Sequence, residues 1–158
     1  MIITPFLVIF MIVVFALLFL FLNTVDKRKW LTGLISLVLT PFVYFYMFYP
    51  FVNIVSNYHH QKYFDSEAWI EKPALRYEMI DHTKMAGTLV GKNKDEAEKL
   101  LGKAEWLSWD FDNNTYNQNA WNYNLGKLPG AFTSTAKQVE IIFENDTISN
   151  LVIKTIDL

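Results

Sequence analysis

Two uninterrupted apolar runs at the start of the chain restrict its fold more than any other feature. Residues 1–25 carry no charged side chain, and 2–22 are almost wholly Ile, Leu, Val and Phe. About twenty helical residues at 1.5 Å each cover the ~30 Å hydrocarbon core of a bilayer. A cleaved signal peptide is disfavoured, because no basic residue precedes the run and no small-x-small cleavage site follows it. Residues 30–55 form a second charge-free run. Pro41 falls within it, where a kink is tolerated because neighbouring groups re-satisfy the freed carbonyl. Gly33, Ser36 and Thr40 recur at spacings of three and four. They are either a small-residue face for packing on the first helix or simply tolerated small residues. Tyr44, Tyr46, Tyr49 and Tyr58 crowd the end of the run, as aromatic side chains do near a membrane–water interface.

The link over 23–29 is so short that the two helices must form an antiparallel hairpin. Lys27-Arg28-Lys29 marks that turn as cytoplasmic by the positive-inside rule, which places both termini across the membrane. The expected organisation is a transmembrane helical hairpin over 1–55, with spans at 2–22 and 30–52. A juxtamembrane connector over 56–72 and a small α+β domain over 73–158 follow. That domain is large enough for one hydrophobic core.

Charge is unevenly placed. Only Asp26, Lys27, Arg28 and Lys29 are charged before residue 62, which leaves eleven Lys and Arg against fifteen Asp and Glu beyond it. No basic stripe stands there to bind phosphate, so nucleic acid is not an expected partner. The chain has no cysteine. Disulfides, thiolate metal sites, a Cys nucleophile and a lipidated N-terminal Cys are thereby excluded, whereas the compartment is left open.

In the C-terminal part Pro73 is placed as the first residue of a helix reaching about Met85, with Leu75, Met79 and His82 on one side. A second, shorter helix is written with both ends. Asn93 is an N-cap, Glu96 completes a capping box, Ala97, Leu100 and Leu101 make an apolar stripe, and Gly102 terminates it. The period then switches to two. Leu107, Trp109 and Phe111, then Trp121, Tyr123 and Leu125, then Val139, Ile141 and Phe143 alternate with polar neighbours, a half-buried strand pattern each time. The Asn-rich stretch 112–119 and the Pro129-Gly130 stretch 126–135 read as loops. Around Asn145-Asp146-Thr147 a three-residue loop sets Leu151 opposite Ile141 and Ile153 opposite Val139, whereas a two-residue turn sets Asn150 against Ile141. The pattern predicts a three- to four-stranded antiparallel sheet with two helices on one face. Leu100, Leu101, Trp109, Tyr123, Ile141 and Phe143 are its expected core.

No constellation of catalytic residues emerges. His59 and His60 are adjacent and His82 is distant, without the spacing of a metal site. Glu78 and His82 lie one helical turn apart, an acid–base pair in a hydrolase reading but more commonly a solvated i, i+4 contact. Asp110 and Asp112 lack the alternating oxygen ligands of a calcium loop. There is no Gly-x-Ser-x-Gly elbow and no phosphate loop. No catalytic residue, metal ligand or cofactor site is expected. Asn recurs at 113, 114, 117, 119, 122 and 124. The cluster reads first as a solvated face, and beside Trp106 and Tyr116 alternatively as a polar-aromatic binding surface.

Several of these residues together resemble a known family. Arg76 with Met79, the run Leu89-Val90-Gly91-x-Asn93-x-x-Glu96-Ala97-x-x-Leu100-Leu101-Gly102, then Trp121-x-Tyr123-x-Leu125-Gly126 and Val139-x-Ile141-x-Phe143 are similar to the SmpA/OmlA-like (BamE-like) domain over 73–158. The resemblance implies two helices on one face of a small antiparallel sheet and a non-enzymatic role exercised by protein contact. The best-known members are periplasm-facing lipoproteins of outer-membrane barrel assembly. Here two apolar helices stand where those have a lipid-bearing Cys, and Lys103-Ala104 follows the Leu-Leu-Gly helix end where Pro is usual.

The expected function is that of an integral inner- or plasma-membrane protein of the bacterial envelope, its extracytoplasmic domain an interaction module. A lipid- or ligand-binding domain is the alternative, and a small hydrolase a more distant one. Strand alternation places Trp106, Ser108, Asn122, Asn124, Glu140 and Ile142 on the sheet face away from the helices, rimmed by Tyr116. The bilayer and an envelope protein or a second copy are the expected partners.

Overall fold

The computed structural model describes residues 1–157, and the chain divides into two compact units. One comprises Ile2–His60 with Pro129–Phe132; the other comprises Gln61–Leu128 and the chain from Thr133 on.

The first unit is a pair of long helices. α1 (Pro5–Val25) starts where Thr4 Oγ1 accepts the Leu7 N–H at 3.3 Å, with Pro5 at the first helical position, where a missing N–H costs nothing. α2 spans Lys29–Val55. Both are long and apolar enough to cross a bilayer, at 21 and 27 residues. Between them Asp26 accepts the Arg28 backbone N–H at 2.8 Å and pairs its guanidinium at 2.7 Å. That arginine holds the Asp26 carboxyl down at about 2.

The α-helical stretch Lys29–Val43 runs through Pro41, and the irregularity comes further on. Pro50 has no N–H and its ring crowds the carbonyl four residues back. The helix widens there into a π-turn, Tyr44–Phe48, with the Tyr49 N–H on the Tyr44 carbonyl. On α2 the buried side chains are hydroxyls. Thr32, Ser36 and Thr40 are inward, and Ser36 Oγ and Thr40 Oγ1 each donate at 2.7 Å to the carbonyl four residues back. Thr32, Ser36 and Thr40 thus form an i, i+4 stripe, and the half-buried Gly33 beside it also faces α1, a Cβ there meeting Phe19 at 3.9 Å. Leu17, Leu20, Leu34 and Leu37 point outward. Beyond the helix, Tyr49 stacks on the His60 imidazole at 3.8 Å, and the Tyr44 hydroxyl lies 2.9 Å from its Nε2.

The second unit is α+β. α3 (Ser66–Glu71) falls in the stretch expected to be connector. It is capped by Asp65 Oδ1 on the Ala68 N–H, Ser66 Oγ donates to the Leu100 carbonyl at 2.7 Å, and Trp69 is fully buried. Six residues are too few to display an amphipathic period, which is why the helix was not visible in the sequence. A 3₁₀ turn at Pro73–Leu75 precedes α4 (Tyr77–Met85). With three residues per turn it resets the helical phase. Met79 is buried with Ile80 and Thr83, while Leu75 is exposed and His82 lies edge-on against Tyr63 at 4.9 Å, contrary to the expected face.

α5 (Lys94–Leu101) has the expected capping box. Asn93 Oδ1 accepts from Glu96 N, and Glu96 Oε2 from Asn93 N, both at 2.9 Å. Gly102 ends it at φ +74° with ψ −176°, a glycine-only conformation rather than the left-handed helical one.

Four antiparallel strands follow in meander order: β1 (Trp106–Asp110), β2 (Thr115–Lys127), β3 (Thr135–Glu144) and β4 (Thr147–Asp157). The loop expected over 112–119 is largely strand. β2 begins at Thr115, because pairing with β1 outweighs the weak strand preference of Asn. In the β3–β4 hairpin Ile141 faces Leu151 and Val139 faces Ile153, the expected register reached by another route. The turn has two residues, Asn145 and Asp146, both at positive φ, and the extra residue is a bulge at Ser149.

Alternate strand residues Tyr123, Leu125, Val139, Ile141, Phe143 and Leu151 share one buried cluster with Trp69, Ile80, Leu89, Ala97 and Leu101 from the helical side. Three short helices therefore feed the core, not two. Leu100 is only partly buried, and Trp109 is 42% exposed rather than in the core. β2 meets β3 only from Ala120 onward, so the arm carrying Trp109 and Tyr116 is two-stranded, and these rings pack on each other at 5.1 Å.

Candidate interaction site on the outer sheet face

Cross-strand register places the site. Asn122 stands opposite Trp106 on one side and Glu140 on the other, and Glu140 opposite Val152. The neighbouring rungs are Ala120–Ile142–Asn150 and Asn124–Gln138–Lys154. Successive residues of a strand point to opposite faces, so these side chains lie away from the apolar cluster.

One residue from each strand joins a polar chain across this face. Lys154 Nζ donates to Glu140 Oε2 at 2.7 Å, Ser108 Oγ donates to Glu140 Oε1, and Asn122 Nδ2 donates to Ser108 Oγ at 2.9 Å. The Lys154 and Ser108 bonds hold the Glu140 carboxyl below its usual range. Ser108 stands two residues after Trp106 and so shares its face, at the point where the β1–β2 register shifts.

Of the expected site residues, Trp106, Ser108, Asn122 and Ile142 share this face. Asn122 is nevertheless only 1% exposed. Its amide is consumed by Ser108 and, at 3.4 Å, by the Ala120 carbonyl, so it organises the surface instead of presenting a free group. Asn124 is exposed at the edge, its Oδ1 accepting the Gly126 N–H at 2.9 Å. Tyr116 stands on the two-stranded arm, not in a loop. Lys154 was missed, although the register that sets Ile153 opposite Val139 already places it diagonally from Glu140.

The most constrained polar group lies elsewhere. Arg76 is buried, donating through Nε to the Trp69 carbonyl at 2.7 Å and through Nη1 to Glu105 Oε1 and the Asn124 carbonyl. Its guanidinium lies 5.0 Å from the Trp69 ring centre and 5.7 Å from that of Tyr123. Glu105 Oε2 in turn accepts the Asn124 N–H at 2.8 Å. Burial pushes the Tyr123 phenol well up, and its hydroxyl donates to the Gly102 carbonyl at 2.9 Å. The arrangement ties α3, α4, the helix end at Gly102 and β2 together; every bond runs inward to the fold.

The remaining chemical candidates are engaged singly. Glu78 pairs with Lys62 at 2.6 Å, and His82 rests on Tyr63. Asp110 is the acceptor for Asn113 Nδ2 and for the Asn113 and Asp112 backbone N–H groups, which hold its carboxyl low and shape the β1–β2 turn. Among the described residues no three His, Cys, Asp or Glu converge as a metal site. Comparison of the chain with protein-family models, curated proteins and solved structures finds no match.

Proposed function

We propose that the chain is a membrane-anchored protein of the bacterial envelope, with α1 and α2 spanning the bilayer and the α+β unit acting outside the cytoplasm as a protein-interaction module related to the SmpA/OmlA-like domain. The observation that carries the anchor is the outward face of the helix pair: Leu17, Leu20, Leu34 and Leu37 face out, while α2 turns Thr32, Ser36 and Thr40 inward. In water that arrangement is unfavourable; in lipid it is the expected one. Lys27-Arg28-Lys29 at the turn supports a cytoplasmic position for that turn.

The module reading rests on the outer sheet face. A tied polar chain beside the exposed Trp106, with the exposed pair Trp109 and Tyr116 on the neighbouring arm, supplies rigid aromatic anchors around satisfied polar groups. Short helices before an antiparallel meander also support the resemblance. Topology is tested by fusing alkaline phosphatase or green fluorescent protein at the C-terminus: active phosphatase and a dark fluorescent protein are expected, and the reverse overturns the orientation. The contact surface is tested by photo-crosslinkers at Trp106 and Tyr116, compared with Lys94 and Glu98 on α5. Crosslinks confined to the helix positions would place the contact on the other side.

A further inference from the structure

We propose that the loop between β2 and β3 is a second membrane contact, its tip entering the interfacial layer of the bilayer through Phe132. The inference rests on the reading of α1 and α2 as spanning helices. Its first support is position. Pro129–Phe132 groups with the helix pair, while the strands at its two ends belong to the other unit. Ala131 N–H donates to the Ile54 carbonyl at 2.9 Å. Ile54 lies in the last turn of α2, so this bond holds the loop tip at the level where the apolar helix ends.

The second support is composition. Residues 128–136 contain no charge and are bracketed by Lys127 and Lys137. Leu128 is buried and its N–H donates to the Thr135 carbonyl at 3.1 Å, which fixes the base of the loop. Phe132, at the tip, is 90% exposed. An aromatic ring presented to solvent from a fixed base, with charge only outside the loop, is the composition of an interfacial anchor. Phe111 at the β1–β2 turn is the contrast. It is 87% exposed as well, but Asp110 and Asp112 flank it, and carboxylates oppose entry into lipid.

The absence of cysteine makes the test direct. Phe132→Cys, Leu17→Cys and Phe111→Cys are made singly in the full chain, labelled with a nitroxide and reconstituted into phosphatidylcholine vesicles. Each label's collision rate with oxygen, which concentrates in lipid, is divided by that with a water-soluble nickel chelate. The expected ratio at 132 lies between those at 17 and 111, several-fold above the value at 111. A ratio at 132 equal to that at 111, with 17 still high, overturns the anchor and leaves the spanning helices standing. A low ratio at 17 overturns the spanning reading and the anchor with it.

Discussion

The helix pair and the α+β unit turn different chemistry outward, although each also buries an apolar cluster, Leu7, Val14 and Tyr44 in the helix pair. In the helix pair the inward stripe of α2 is Thr32, Ser36 and Thr40, with leucines outside; in the α+β unit the interior is Ile80, Leu89, Leu101, Ile141 and Leu151, with Ser108, Glu140 and Lys154 on the outer sheet face. On the proposed reading the difference lies in the solvent for which each part is built. Burying apolar area is favourable when the alternative is water. When the alternative is lipid, close backbone approach and satisfied hydroxyls decide the packing instead.

The comparison sharpens under substitution, the largest effect first. Leu101, 1% exposed, is an interior residue of the α+β unit. Leu101→Ala should cost ~2–5 kcal/mol in a denaturant melt of that unit, the range for emptying a core leucine site. An unchanged midpoint would remove Leu101 from the core. Arg76→Leu should cost roughly 3 kcal/mol, the low end for breaking a buried ion pair, because Glu105 keeps partial access to water.

Leu17 is 58% exposed, and at a water-facing site of that kind Leu→Lys changes stability by less than about 0.5 kcal/mol. In a span the same change should oppose insertion by ~2.5–3.5 kcal/mol, read as the membrane-integrated fraction. Wild-type integration would break the comparison at its root. Gly126 stands at φ +93°, and a Cβ there would lie 2.2 Å from the Ala74 carbonyl oxygen. Gly126→Ala should therefore cost well over ~1 kcal/mol, measured by the same melt.

The smallest effect concerns the outer face. Glu140's folded pKa lies below its ordinary 4.5, so its contribution is present above the unfolded value and lost as pH falls through the folded one. Glu140→Gln should remove that acid-side slope, at a cost under about 1 kcal/mol near neutral pH, since the Lys154 side chain is 44% exposed and solvent screens the pair. A slope unchanged below pH 4.5 would place the titration elsewhere.

Features carried by local chemistry were legible in the sequence. The capping box at Asn93 and Glu96, the two apolar helices and the pairing of Ile141 with Leu151 each follow from residue type and spacing. Features carried by partners distant in sequence were not. β2 begins as early as Thr115 because Thr115 and Tyr116 pair with Asp110 and Trp109 of β1, and α3 exists because Trp69 has a core to enter. Trp109 shares its alternation with core residues, yet no third strand reaches the arm on which it sits. The outer face was half legible. Its membership follows from register, whereas the burial of Asn122 depends on side chains from both flanking strands, Trp106 and Ser108 on one side and Glu140 on the other.

The most direct test of the lipid-facing leucines proposed for the helix pair is thiol accessibility in intact membranes. Leu17→Cys, Leu37→Cys and, from the α+β unit, Val90→Cys all replace side chains at least half exposed, in a chain with no other cysteine. Maleimide attacks the thiolate, which needs water to form. A membrane-impermeant maleimide applied to opened vesicles, so that both aqueous sides are reached, should label residue 90 readily. Residues 17 and 37 should react only after the bilayer is dissolved in denaturing detergent. Labelling of 17 and 37 at the rate of 90 before detergent would show that those leucines face water and contradict the account.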